Sequence, residues 1–532
     1  MLDFILFINR LLMFVASFLF VWTPLKQSLH MFQQNRYELR RFGPWLKDQL
    51  KFDLKRELRW GMIIILYVII SLISFFSPEL GSSLWVVATF VFGYLALIQD
   101  KKQTYIKKLL YTSRVKRQLV VMLVLVVLMI LGLNQLNWFL ISLLTPVMVV
   151  MVWLFVYVMA VLTHPFEASI KHYFIYKAKQ ALNAHPRLIK IGITGSYGKT
   201  SSKNILNEIL SEKYYVLSTP ASFNTPMGLT ITIREQLKAI HQVFIAEMGA
   251  DKVGEIDFLS KFIRPQYAIV TAIGPQHLNT FKTLDNIIRE KMRLIENLPV
   301  NGVGVINNDY GTIRNYRIKN NCKIVSYALD HEADYTAVDI QYSQEGSTFT
   351  VVCLEGSYPF ETRLLGKHNI GNILAGIALC RQLGLEWPVL QKAVMGVNYV
   401  EHRLQLKKIN GFNYIDNAFN SNPEGARMSL EVMKMMPNHR YIVTPGMIEL
   451  GHEQDAYNKA FGAQMKDSVD TVILVGKKQT HSIYDGLCES GFDLNEVLIV
   501  DTVKEAFAYI EAHASRDDMI LLENDLPDAF NH

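Results

Sequence analysis

The residues most able to do chemistry form one short run, Gly195-Ser196-Tyr197-Gly198-Lys199-Thr200-Ser201. Glycines here let backbone N–H groups close around phosphate oxygens, and a helix starting at the lysine adds positive potential. Lys199 would then reach the β- and γ-phosphates, and the Thr200 hydroxyl would ligate Mg²⁺. Gly195, Ser196, Gly198 and Ser201 complete the cradle. The run departs from the common phosphate-loop pattern, because Ile193 stands where that pattern begins with a glycine or alanine. The flanks therefore decide. Leu188–Thr194 (LIKIGIT) reads as a buried strand, and Ser202–Leu210 places Ile205, Leu206, Ile209 and Leu210 on one side of a helix. Strand, glycine loop and helix, in that order, are the context a phosphate loop requires.

Further candidates follow in order. Val243–Met248 reads as a strand with Glu247 near its end, and a carboxylate there is a natural Mg²⁺ ligand beside a phosphate loop. A strand over Tyr267–Ile273 leads into Gly274-Pro275-Gln276-His277-Leu278, and Lys291 follows in Arg289-Glu290-Lys291-Met292. Gly366-Lys367-His368-Asn369-Ile370-Gly371-Asn372 opens a largely apolar helix, Ile373–Leu383. His402-Arg403-Leu404, then Asp416-Asn417-Ala418-Phe419-Asn420-Ser421-Asn422-Pro423, then Gly446-Met447-Ile448-Glu449-Leu450-Gly451 complete the set.

With Phe223-Asn224-Thr225-Pro226-Met227-Gly228-Leu229, these motifs stand in the order found in the Mur ligases. From about Leu188 onward the chain resembles that family, the ATP-dependent amide ligases of peptidoglycan precursor synthesis, and most nearly its MurF type. The resemblance implies ATP and Mg²⁺. Glu247 and His277 would attend the metal, and Lys291, carbamylated by CO₂, would bridge to a second Mg²⁺. Asn369 would contact the adenine, Arg403 would meet phosphate or the acyl-phosphate, Asp416 would hold the ribose or adenine, and Asn420 would sit near the nucleotide. A substrate carboxylate would take the γ-phosphoryl group, and an amine would attack the acyl-phosphate to give the amide.

These elements must be held somewhere, and the first third of the chain says where. The sequence has 532 residues and is 50% hydrophobic, with the apolar excess before residue 165. Five apolar stretches run from Phe4 to Trp22, Gly61 to Phe76, Ser83 to Leu97, Leu119 to Leu133 and Trp138 to Leu162. A helical span needs about 20 apolar residues, so some of them reach that length only with their flanks. Between them lie two basic segments, Lys26–Arg59 and Lys101–Arg117, whereas Ser77–Ser82 and Asn134–Asn137 carry no Lys or Arg. The positive-inside rule puts both basic segments in the cytoplasm. Five spans then leave everything after Thr163 inside, where ATP is. The net charge of +6 is thus a topology signal and not a nucleic-acid footprint. Cys322, Cys353, Cys380 and Cys488 form no metal-ligand spacing and read as reduced thiols.

The fold class expected is a membrane region of about five transmembrane helices over 1–163, followed by α/β ligase domains. A linker over 164–187 leads to a central ATP-binding domain over 188–398 and a Rossmann-like C-terminal domain over 399–532. Two departures touch the substrate. Membrane spans replace the small domain that grips the UDP-sugar in MurF-type enzymes. Leu521-Leu522-Glu523-Asn524-Asp525-Leu526-Pro527-Asp528 stands where the family has a basic KGSR-like stretch. The resemblance implies as acceptor a cell-wall precursor, UDP-linked or lipid-linked, joined to an amino acid or dipeptide. A capsule-type polyamide ligase and a catalytically silent ATP-binding scaffold are the alternatives.

Overall fold

The computed structural model describes residues 2–50, 54–102, 108–221, 223–276, 278–343, 346–399, 404–418, 423–447, 450 and 453–524. It divides into two compact units, Met1–His172 and Tyr173–His532.

The first unit is helical: α1 (Leu2–Gln34), α2 (Leu39–Leu50), α3 (Leu54–Phe76), α4 (Pro78–Lys102), α5 (Ser113–Asn134) and α6 (Trp138–Leu144), with α7 (Val147–Asn183) beginning here. Among the described residues four helices are long and apolar enough to cross a membrane, over Asp3–Gln34, Pro78–Lys101, Ser113–Asn134 and Val147–Asn183, and Gly61–Phe76 is a shorter apolar helix. The stretch Trp138–Leu162, expected as one span, is two helices. Pro146 has no amide N–H to carry the ladder across the break, and Thr145 accepts a hydrogen bond from the buried Trp85 indole at 2.7 Å. Helix α7 also runs on through most of the stretch expected as a linker, to Asn183.

Several polar residues inside this unit find partners among its own helices. Asn9 donates to Ser82 Oγ at 2.8 Å, Tyr67 pairs with Thr89 at 2.9 Å, and Lys26 meets Asp100 at 2.6 Å. Arg10 donates to the carbonyls of Asn134 and Leu136 and lies over the Trp138 ring. Its positive charge thus sits at the C-terminal end of α5, where the helix dipole favours it.

The second unit holds two sheets. The larger comprises β1 (Ile189–Thr194), β2 (Val216–Ser218), β3 (Val243–Glu247), β4 (Tyr267–Val270), β5 (Val303–Asn307), β6 (Lys323–Ala328), β7 (Tyr335–Ser343), β8 (Gly346–Cys353) and β9 (Gly356–Thr362). Its order is β2-β3-β1-β4-β5-β6-β7-β8-β9, parallel from β2 to β7 and antiparallel at β7–β8 and β8–β9. The smaller sheet has β10 (Gln405–Ile409), β11 (Phe412–Asn417), β12 (Arg440–Thr444), β13 (Thr471–Val475), β14 (Val497–Val500) and β15 (Met519–Glu523), ordered β10-β11-β15-β12-β13-β14. Only its β10–β11 pair is antiparallel among the described residues.

Both faces of the large sheet are covered. Ile191, Ile193, Ile205 and Ile209 share one core with Ile373 and Ile377, while Phe244, Leu259, Phe262 and Leu294 build the other. Helix Lys367–Gln382 is buried without a break from Asn369 to Cys380, which explains its largely apolar sequence.

Candidate active site

Strands β3, β1 and β4 lie side by side, and their carboxyl ends meet at one point. The chain order reverses at β1, and such a crevice is where open α/β sheets bind ligands. Strand β1 delivers the glycine loop. Gly195 has φ 156°, and a Cβ there would lie 2.1 Å from Thr271 Oγ1, so only glycine fits. Gly198, at φ 78°, is the left-handed N-cap of α8 (Lys199–Ser211). The loop is pinned from the β4 side. Ser196 Oγ donates to Gly274 O at 2.9 Å, Tyr197 OH to Pro275 O at 2.7 Å, and Thr271 Oγ1 to the Tyr197 carbonyl. Lys199 Nζ donates to the Gly195 and Ser196 carbonyls at 2.8 and 2.9 Å, folding back over the loop it serves.

Strand β3 delivers Glu247, which is 1% exposed. Its Oε1 accepts from Thr200 Oγ1 at 3.2 Å and from Asn224 Nδ2 at 3.1 Å. Two cis ligands of an octahedral Mg²⁺ stand about 3 Å apart, so the Thr200 and Glu247 oxygens fit one such ion. Among the described residues no three His, Cys, Asp or Glu side chains cluster as a metal cage. One carboxylate and one hydroxyl suit Mg²⁺, which keeps several waters and shares phosphate oxygens.

Lys291 lies on the helix Leu284–Glu296 and is 1% exposed. Its Nζ is 3.4 Å from the Ala250 carbonyl. Burial, reinforced by the charge of Lys199, drives its amine down to about 7. The adjacent Glu290 works otherwise, accepting from the backbone N–H groups of Gly254 and Ile256 at 2.8 and 2.6 Å. It thereby caps helix Glu255–Ile263, whose own N-cap residue, Gly254, has no side chain to do so.

The loop opens on a cleft of about 510 Å³. Thr271, Asn307, Asp309, His368 and Asn372 line it from the large-sheet side, and Leu404, Asn417, Arg427 and Glu431 from the small-sheet side. Two expected nucleotide contacts are placed elsewhere. Asn369 is 4% exposed and donates to Leu365 O at 2.8 Å, tying down its own helix start, so His368 and Asn372 present the polar groups instead. Asp416 is 5% exposed, ion-paired with Lys407 and bonded to the Ala418 N–H. Alternation along β11 gives the cleft to its neighbour Asn417. His277, Arg403 and Asn420 lie outside the described residues.

Sequence reasoning passed over Asn307, Asp309, Arg427 and Glu431 and gave Lys367 and His368 no role of their own, yet all six line the cleft. Asn307 ends β5, and strand-end position was the signal that could have found it. Asn372 accepts from Ser202 Oγ at 2.8 Å, joining the loop helix to the helix Lys367–Gln382.

Residues 193–380 match the Mur ligase middle domain, and residues 402–523 match the Mur ligase, glutamate ligase domain. The chain belongs to the Mur ligase family. A Mur ligase forms an amide bond with ATP, and this chain is an ATP-dependent ligase. It is 29% identical over 337 residues to the UDP-N-acetylmuramoyl-tripeptide–D-alanyl-D-alanine ligase of Bacillus subtilis (strain 168), covering 63% of this chain and 72% of that one. The Escherichia coli (strain K12) enzyme of the same name is 29% identical over 297 residues, covering 55% and 65%. MurF of Thermotoga maritima, solved in complex with ADP, shares the fold at a TM-score of 0.60 and 22% identity, covering 67% of this chain and 80% of that one.

Proposed function

We propose that this Mur ligase is anchored in a membrane with its ligase domains in the cytoplasm, and that it extends a cell-wall precursor by an amino acid or dipeptide. One observation carries the reading: the glycine loop, whose Thr200 is bonded to Glu247, and residues of both sheets line a single cleft. Both substrates of an acyl-phosphate mechanism must meet there. The Mur ligase relatives named above act on a UDP-linked tripeptide and D-alanyl-D-alanine.

The loop N–H groups and Lys199 hold the triphosphate and offset charge on the transferring phosphoryl group. Thr200 and Glu247 would hold Mg²⁺, which when bound would neutralise phosphate charge. Lys291 is buried with its Nζ near the Ala250 carbonyl, and a lysine there would serve as an anionic ligand only once carbamylated; its lowered basicity supplies the neutral amine that CO₂ requires. His277 attends the metal, and Arg403, Asp416 and Asn420 serve the closed state, in which the C-terminal domain completes the site. Four long apolar helices and the positive charge of the segments between them support the anchor.

The test is ATP turnover by the full chain. Turnover should require both a carboxylate acceptor and an amine, and Lys199→Ala should lower it by roughly 100-fold or more. Equal ADP release with and without acceptor would sink the ligase reading in favour of a scaffold.

A further inference from the structure

Lys203 lies one turn beyond Lys199 on α8, and nothing above uses it. It is 1% exposed. Its Nζ donates to the carbonyl of Ala221 and stands 3.4 Å from Oε2 of Glu247. Ammonium and carboxylate are both almost wholly withdrawn from water, and neither charge is tolerable there without its partner. The anchoring carbonyl belongs to a residue at φ 44°, a conformation an alanine rarely adopts, so the loop is set by its surroundings.

The consequence is a division of labour within one carboxylate. Oε1 faces Thr200 and Asn224, whereas Oε2 accepts no hydrogen bond among the described residues and has the Lys203 ammonium in front of it. A cation seeking both oxygens would have to displace that ammonium. Ca²⁺ readily takes a carboxylate through both oxygens at 2.3–2.6 Å, while the smaller Mg²⁺ takes one oxygen at each octahedral position.

We propose that Lys203 is a positioning residue that restricts Glu247 to ligation through Oε1, and thereby sets the preference of this site for Mg²⁺ over Ca²⁺. The inference rests on Glu247 and Thr200 being the metal site. Lys203 repels all divalent cations alike, so its charge cancels in the ratio of two affinities. Its geometric effect does not cancel.

The experiment uses the full chain in detergent with ADP and Mn²⁺, reading bound Mn²⁺ by electron paramagnetic resonance as Mg²⁺ or Ca²⁺ displaces it. Lys203→Met should reduce the Mg²⁺/Ca²⁺ affinity ratio about tenfold, whatever happens to either affinity. Lys203→Arg keeps a cation beside Oε2 and should hold the ratio within about threefold of the parent. A folded Lys203→Met protein with an unchanged ratio overturns the proposal. If that variant does not fold, the parent protein decides by infrared difference spectroscopy against Glu247→Gln. A one-oxygen carboxylate signature with Mg²⁺ is expected, and a two-oxygen signature overturns the proposal. Glu247→Gln that binds Mn²⁺ as tightly as the parent refutes the metal site itself, a separate result.

Discussion

At the scale of single residues, the glycine loop was legible because its chemistry needs residue types that little else explains. Glu247 stood out only beside the phosphate loop and through the family resemblance, because a strand-end glutamate alone reads as an exposed surface residue. Lys291 was not legible on its own, because a helix lysine is ordinarily solvated, and only the fold buries it. That burial gives a pH prediction. The amine, held down to about 7, is mostly neutral above that pH and protonated below it. Adding CO₂ to the neutral amine also releases a proton. As pH is lowered at fixed dissolved CO₂, the ratio of carbamate to free lysine should therefore fall about tenfold per pH unit above 7 and about a hundredfold per unit below it, read by ¹³C NMR with labelled CO₂. Lys291→Ala should lose activity and regain part of it with added short carboxylates. Wild-type-like activity in that variant would remove the carbamate. Asn369 and Asp416 were matched to motifs, and in this conformation local bonds to Leu365, Lys407 and Ala418 engage them. Sequence order does not reveal which member of a motif faces the ligand.

At the scale of elements, strand, loop and helix were read in their observed places, because buried strands and one-sided helices leave periodic signals. The break at Thr145–Pro146 was overlooked since apolar composition continues through it, although the proline was in view. Gly195 offers the cleanest test of how elements make the site. Gly195→Ala adds one methyl group, 2.1 Å from a threonine oxygen already engaged with the Tyr197 carbonyl. The loop must move away from β4, so ADP binding measured by calorimetry should weaken by at least about tenfold. Far-ultraviolet circular dichroism should stay unchanged, because the clash is confined to the loop. ADP affinity equal to the parent's would show that the observed loop conformation is not the binding one.

At the scale of the whole molecule, the membrane reading and the ATP reading were reached from different residues and put the ligase domains on the same side. The unit Tyr173–His532 contains both sheets and the cleft. A chain beginning at Tyr173 should therefore retain ADP binding. Comparing it with the full chain in bilayers separates two roles for the helices. If both extend a water-soluble UDP-precursor equally, and the full chain gains nothing from a lipid-linked one, the helices only anchor. The acceptor was not legible because the segments that would read it have no counterpart in the motifs. Helix Lys367–Gln382 carries one further consequence. It is enclosed on every side from Asn369 to Cys380, yet it sets His368 and Asn372 against the nucleotide cleft. Its amides should be among the last in the molecule to exchange with deuterated water, and their protection should be the same with and without ADP. Protection that rises with ADP should appear instead along Gly195–Ser201 and in the small-sheet wall around Arg427. The catalytic cycle would then have a fixed jaw and a moving one, with Asn372 on the jaw that stays still.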